Sequence, residues 1–98
     1  MRSWWTADAS EDLLAIADYL SDRDSAAASR FVDLAEATAS LLERFPRSGR
    51  PLAGARDVRT MAFGRWILIY RVEEDLVRVL RVVDGSRDVA AIVKRLDA

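Results

Sequence analysis

The side chains with the greatest chemical capacity in this 98-residue chain are its arginines, which supply all but one of its fifteen basic residues. They are threaded through apolar stretches as well as loops. A guanidinium is a flat, permanently charged fork of N–H donors, so it suits carboxylate and phosphate partners. Arg59, Arg71, Arg81 and Arg87 are the candidates for contact with an acidic partner, or for stabilising charge on a phosphate undergoing cleavage. Each also has an acidic neighbour in sequence. Arg59 with Asp57, Arg71 with Glu73, Arg81 with Asp84 and Arg87 with Asp88 could instead merely stitch the fold.

Other reaction chemistry is thinly provided. Histidine and cysteine are both absent, which removes the commonest general base, the thiol nucleophile and the usual zinc ligands. No paired carboxylates or calcium-loop spacing occur, so neither a metal nor another cofactor is expected. Tyr70 lies among Trp66, Leu68 and Val72 and reads as core. The turn Gly49-Arg50-Pro51 reads as architectural, with Arg47 and Arg50 anchoring its loop.

The chain is 51% hydrophobic and 32% charged, with a formal net charge of −1. That balance suits one soluble, cytoplasmic globular domain over residues 1–98, with no apolar run long enough for a membrane span or secretion signal. The charge is segregated. Residues 1–43 carry three basic and nine acidic side chains, whereas residues 44–98 carry twelve basic and seven acidic.

Several elements are needed to position these groups. Ser3–Thr6 reads as a short strand. Thr6 then caps a helix with Ala9, Leu13, Ile16, Ala17 and Leu20 at helical spacing. After a turn capped by Asp24 or Ser25, a second helix places Ala27, Phe31, Leu34, Ala35, Thr38, Leu41, Leu42 and Phe45 on one apolar face, until Pro46 stops it. Residues 47–55 read as a loop. Three strands follow, Val58–Phe63, Arg65–Val72 and Leu76–Val83, with connections short enough for an antiparallel meander. Trp66, Leu68, Tyr70 and Val72 share one face of the middle strand, opposite Ile67, Ile69 and Arg71. Strict alternation in the last strand groups Arg78 with Leu76, Leu80 and Val82, and Arg81 with Val77, Val79 and Val83. Ser86 is a candidate cap for a final helix whose stripe is Val89, Ile92, Val93 and Leu96; Arg87 and Asp88 brace its start. The expected fold is α+β, in the order β-α-α-β-β-β-α, with the N-terminal helical hairpin packed on an antiparallel sheet.

Four patterns in this order resemble the small toxins of the ParE/RelE superfamily. They are Ala9, Asp12-Leu13, Ile16 and Tyr19 with Ala27 and Arg30-Phe31; Pro46 with Gly49-Arg50-Pro51 and Val58-Arg59; Tyr70-Arg71-Val72; and Leu80 to Asp88. Asp84 stands where that family most often has histidine. The resemblance implies the toxin of a type II toxin–antitoxin pair, held in a hetero-oligomer by a ParD-like antitoxin. ParE-type members inhibit DNA gyrase, whereas RelE-type members cleave mRNA on the ribosome.

With no convincing base in the terminal segment, the gyrase reading is preferred. Binding of protein rather than nucleic acid is expected, with Arg59, Arg71, Arg81 and Arg87 as a cationic surface. A RelE-like interferase using the same arginines, or an inert homologue that only binds antitoxin, are the alternatives. Trp4 and the stripe Val89, Ile92, Val93 and Leu96 are the candidate antitoxin contacts.

Overall fold

The computed structural model describes residues 1–96. The elements are β1 (Arg2–Trp5), α1 (Ala7–Ser21), α2 (Ser25–Arg44), β2 (Arg50–Pro51), β3 (Val58–Phe63), β4 (Trp66–Val72), β5 (Leu76–Asp84) and α3 (Val89–Leu96). Local chemistry explains the helix starts. Thr6 is extended and its Oγ1 accepts the Ala9 N–H at 3.1 Å, while Asp24 accepts the Ala26 N–H at 3.0 Å. Each cap satisfies a donor that the first helical turn leaves open.

The five strands form one sheet in the order β1-β5-β4-β3-β2. Its two faces are covered separately. Ala9, Phe31, Ala35 and Leu42 of the helical hairpin pack on Phe63, Leu68, Tyr70, Val77, Val79 and Val82. Phe31 meets Trp66 edge-on, with ring centroids 5.1 Å apart. On the other face Ile92 and Val93 of α3 pack on Val58, Ile69, Leu80 and Val83. The alternation expected along β4 is observed, with Leu68 and Tyr70 facing the hairpin and Ile69 facing α3.

Five details differ from expectation. The sheet is mixed, because β1 pairs in parallel with β5 while the remaining pairs are antiparallel. Within the expected loop, Arg50 and Pro51 pair with Thr60 and Arg59 as a short edge strand. In β5, Arg81 lies opposite Ile69 but Val79 lies opposite Tyr70, leaving Leu80 as the extra residue of a bulge. A bulge inverts the alternation beyond it, so Val82 joins the hairpin side and Val83 the α3 side, while Leu80 keeps its expected place on the α3 side. The last helix is capped by Asp88, which accepts the Ala91 N–H at 3.1 Å, and not by Ser86, which sits in the preceding turn with its N–H on Asp84.

The fifth difference concerns α2. Phe31, Ala35, Thr38, Ala39 and Leu42 are buried, but Leu34, Leu41 and Phe45 are exposed. The helix is apolar over a wider arc than the sheet beneath it covers.

Candidate functional site

Arg81 is fixed by the longest-range ion pair of the described residues. Its Nε and Nη2 donate to the two carboxylate oxygens of Asp12 at 2.6 and 3.0 Å, and Asp12 also accepts the backbone N–H of Val82 at 3.0 Å. Thr6, the α1 cap, meets β5 just before Arg81, its N–H donating to Val79 O and its hydroxyl to Leu80 O, each at 3.0 Å. The start of α1 therefore satisfies the length of β5 that the four residues of β1 leave uncovered. Unpaired strand groups of this kind otherwise invite pairing with another chain.

Arg59 serves a second anchor. Its Nη1 donates to the carbonyls of Arg47 and Gly49 at 3.1 and 2.8 Å. The buried Tyr70 hydroxyl donates to Pro46 O at 2.7 Å and accepts the Gly49 N–H at 3.0 Å. A β-carbon at position 49 would approach Thr60 O to 2.7 Å and collide with the Tyr70 hydroxyl, so glycine is required by space. Burial pushes the Tyr70 phenol above its ordinary value, with the Gly49 N–H and the Arg59 charge opposing. The loop is thus held by Arg59 and Tyr70, while Arg47 and Arg50, expected to anchor it, are exposed.

The carboxylates find partners other than the arginines expected for them. Asp84 pairs with Arg65 at 2.6 Å, Glu73 with Arg78 at 2.9 Å, and Asp57 lies 3.8 Å from Arg56. The Arg65 hydrogen bond, then the Ser86 N–H, lower the Asp84 carboxyl to about 2. Glu73 is held below its ordinary value by the hydrogen bond from Arg78, opposed by desolvation, with a smaller contribution from the charge of Arg71. Asp88 is a helix cap. Of the expected pairings, the Arg71–Glu73 proximity survives; Arg81 goes instead to Asp12 of α1, and Glu73 takes its hydrogen bonds from Arg78 across the β4–β5 turn.

The four arginines do not form one plate. Arg59 is opposite Tyr70 in the register, so it shares the hairpin face; Arg71 is opposite Val58 and Arg78, so it shares the α3 face. Arg81 and Arg87 lie at the other end of the sheet, lining a hollow of about 200 Å³ with Asp12, Ile16, Trp66 and Asp84. Arg78 of β5 and Arg65, in the turn before β4, are carboxylate-paired arginines that the spacing did not single out.

The candidate antitoxin contacts divide in the same way. Trp4 is 59% exposed and lies beside Arg78 in the register, on the row that continues to Arg71. Ile92 and Val93 are buried within the fold, with Val89 and Leu96 packed at the margin of that cluster. The exposed side chains Leu34, Leu41 and Phe45 were legible only as core. The available signal was an apolar arc on α2 broader than one helix needs to pack on a sheet.

Among the described residues no group of His, Cys, Asp or Glu is placed to hold a metal ion. No helix among them is long and apolar enough to cross a membrane.

A family model described as the ParE toxin of the type II toxin–antitoxin system, parDE, matches residues 4–89. A solved structure of the chromosomal ParDE toxin–antitoxin system from P. aeruginosa superposes with a TM-score of 0.73 at 25% identity, covering 86% of this chain and 95% of that one. The toxin–antitoxin complex RelBE2 from Mycobacterium tuberculosis shares the fold with a TM-score of 0.60 at 24% identity, over 85% of this chain and 95% of that one. No curated protein sequence matches.

Proposed function

Given that the chain belongs to the ParE toxin family of type II toxin–antitoxin systems, we propose that it arrests growth by binding DNA gyrase and that a ParD-like antitoxin neutralises it. The observation that carries the choice of a binder over an RNA-cleaving enzyme is the state of the sheet's polar groups. Arg81 and Arg59 are committed to Asp12 and to the Pro46–Gly49 loop. Tyr70, the sheet's one tyrosine, is buried with its hydroxyl used as both donor and acceptor. RNA cleavage needs a group free to take a proton from the 2′-hydroxyl. A tyrosine with a raised pKa and an engaged proton serves that task poorly.

Binding makes other demands, and exposed tryptophan and arginine meet them. The exposed Trp4 and the half-buried Arg71, on the α3 face, and the exposed Arg87, at the opposite end of the sheet, are the proposed contact residues for gyrase or antitoxin. Arg59 and Arg81 support them by holding the loop and the first helix in place.

A supercoiling assay tests the target. Purified protein is expected to inhibit gyrase in a dose-dependent way, with inhibition relieved by the antitoxin. Full supercoiling at large toxin excess, with growth arrest intact, would overturn the gyrase assignment; codon-phased mRNA cuts in a translating extract would replace it with ribosome-dependent cleavage.

A further inference from the structure

Leu34 and Leu41 are 51% and 44% exposed on α2, which buries a full core on its other side, and Phe45, the residue that caps its C-terminus, is 52% exposed. Counting from Leu34, they stand at i, i+7 and i+11, with the exposed Ala37 at i+3, so they form a continuous stripe along one flank of α2. Leu-x-x-Ala-x-x-x-Leu is the three-four spacing of a seam that accepts a second helix, and the small Ala37 leaves a hole for a large side chain opposite. Isolated exposed leucines need no explanation, but three large apolar groups following one another along a helix and its cap mark an interaction surface.

The charges around the stripe are specific to it. Arg30 lies one turn before Leu34, Arg44 one turn after Leu41, and Arg47 just beyond Phe45, in a shallow hollow with Pro46 and Ser48. Asp33 is the one acidic group beside the leucine end, and Arg30 has a long contact of 3.8 Å to Asp24. The rest of the hairpin is acidic, so this flank is a cationic margin on an otherwise negative unit. Three side chains fall well short of the ~800 Å² per partner of a stable interface. A second copy meeting this stripe alone is too small a contact, whereas a longer segment that continues past it is not.

We infer that the outer flank of α2 is the docking seam for an amphipathic helix of the antitoxin, with apolar anchors inserted between Leu34, Ala37, Leu41 and Phe45 and acidic margins against Arg30, Arg44 and Arg47. This rests on the toxin–antitoxin reading above. The hairpin residues that the fold leaves uncovered are the second half of a core that the partner completes.

The test is calorimetric binding of the full-length chain to the protein encoded by the adjoining reading frame. Wild type is compared with Leu34→Glu/Leu41→Glu, Arg30→Glu/Arg44→Glu and Trp4→Ala, and circular dichroism checks that each variant is folded. The leucine pair is expected to weaken binding by about 100-fold or more. The arginine pair is expected to weaken it less and to reduce its salt dependence. Wild-type affinity in the folded leucine variant, or loss confined to Trp4→Ala, would overturn the seam while leaving the toxin–antitoxin reading intact. Failure of the wild type to bind would sink that reading, and the seam with it. Light scattering of the chain alone is expected to show a monomer; a dimer dispersed by the leucine pair would assign the stripe to a second copy and overturn the inference.

Discussion

Single charges in this protein do more to define the fold than to advertise a site. Arg81 and Asp12 are only 26% and 16% exposed, and Asp12 also holds the Val82 N–H. Arg81→Ala strands a largely buried carboxylate and is expected to cost about 2–4 kcal/mol in urea denaturation. Asp12→Asn, which retains an acceptor for Val82, should cost less. Asp84 gives a pH signature. Its carboxyl is lowered in the folded protein to about 2, chiefly by the Arg65 hydrogen bond. A depressed carboxylate contributes stability that is complete above the unfolded value and is lost as pH falls through the folded one. Asp84→Asn should therefore flatten the acid dependence of the thermal midpoint between about 4, the unfolded carboxylate value, and the folded value of about 2. An unchanged slope would remove this linkage. Tyr70→Phe leaves Pro46 O without its donor and the Gly49 N–H without its acceptor, an expected loss of about 1–3 kcal/mol. Gly49→Ala should remain destabilised in the Tyr70→Phe background, because Thr60 O is backbone and cannot swing aside.

At the scale of elements, two helices with similar apolar patterns have opposite fates. Ile92 of α3 is buried against the sheet, so Ile92→Ala is expected to cost about 2–4 kcal/mol. Leu41 of α2 faces outwards, so Leu41→Ala should change thermal stability by about 0.5 kcal/mol or less. Comparing the two melting curves measures directly which stripe the fold consumes. At the start of α1, Thr6 both caps the helix and ties it to Leu80 O, so Thr6→Ala should cost about 1 kcal/mol or somewhat more, with Thr6→Ser close to wild type. The bulge at Leu80 is the other decisive local event. It lets one strand supply Val77, Val79 and Val82 to the hairpin core and Leu80 and Val83 to the α3 core.

For the molecule as a whole, the segregation of charge has a structural use. The acidic hairpin lies on the arginine-bearing sheet, and Asp12–Arg81 links the two halves across 69 residues of sequence. The two cores make the sheet dependent on both layers. Truncation after Arg87 removes α3 and uncovers Val58, Ile69, Leu80 and Val83, and it is expected to give strong dye binding and aggregation rather than a folded core. A soluble, cooperatively melting truncation would show that the hairpin layer alone sustains the sheet.

The order of elements apart from the two-residue β2, the Thr6 cap, the faces of β4 and the apolar stripe of α3 were readable in sequence, because each depends on residues within a few positions of one another. The chain's likeness to a toxin family was readable for the same reason, as an ordered set of short patterns. Other features depend on residues far apart, and only the tertiary structure decided them. Among these are the parallel pairing of β1 with β5, the pairing of Arg81 with Asp12 and not Asp84, the use of Arg59 as a loop clasp, and the exposure of Leu34, Leu41 and Phe45. A periodic pattern states how wide an apolar face is; the width of the sheet beneath it, and which strand lies at its edge, set how much of that face is left for a partner.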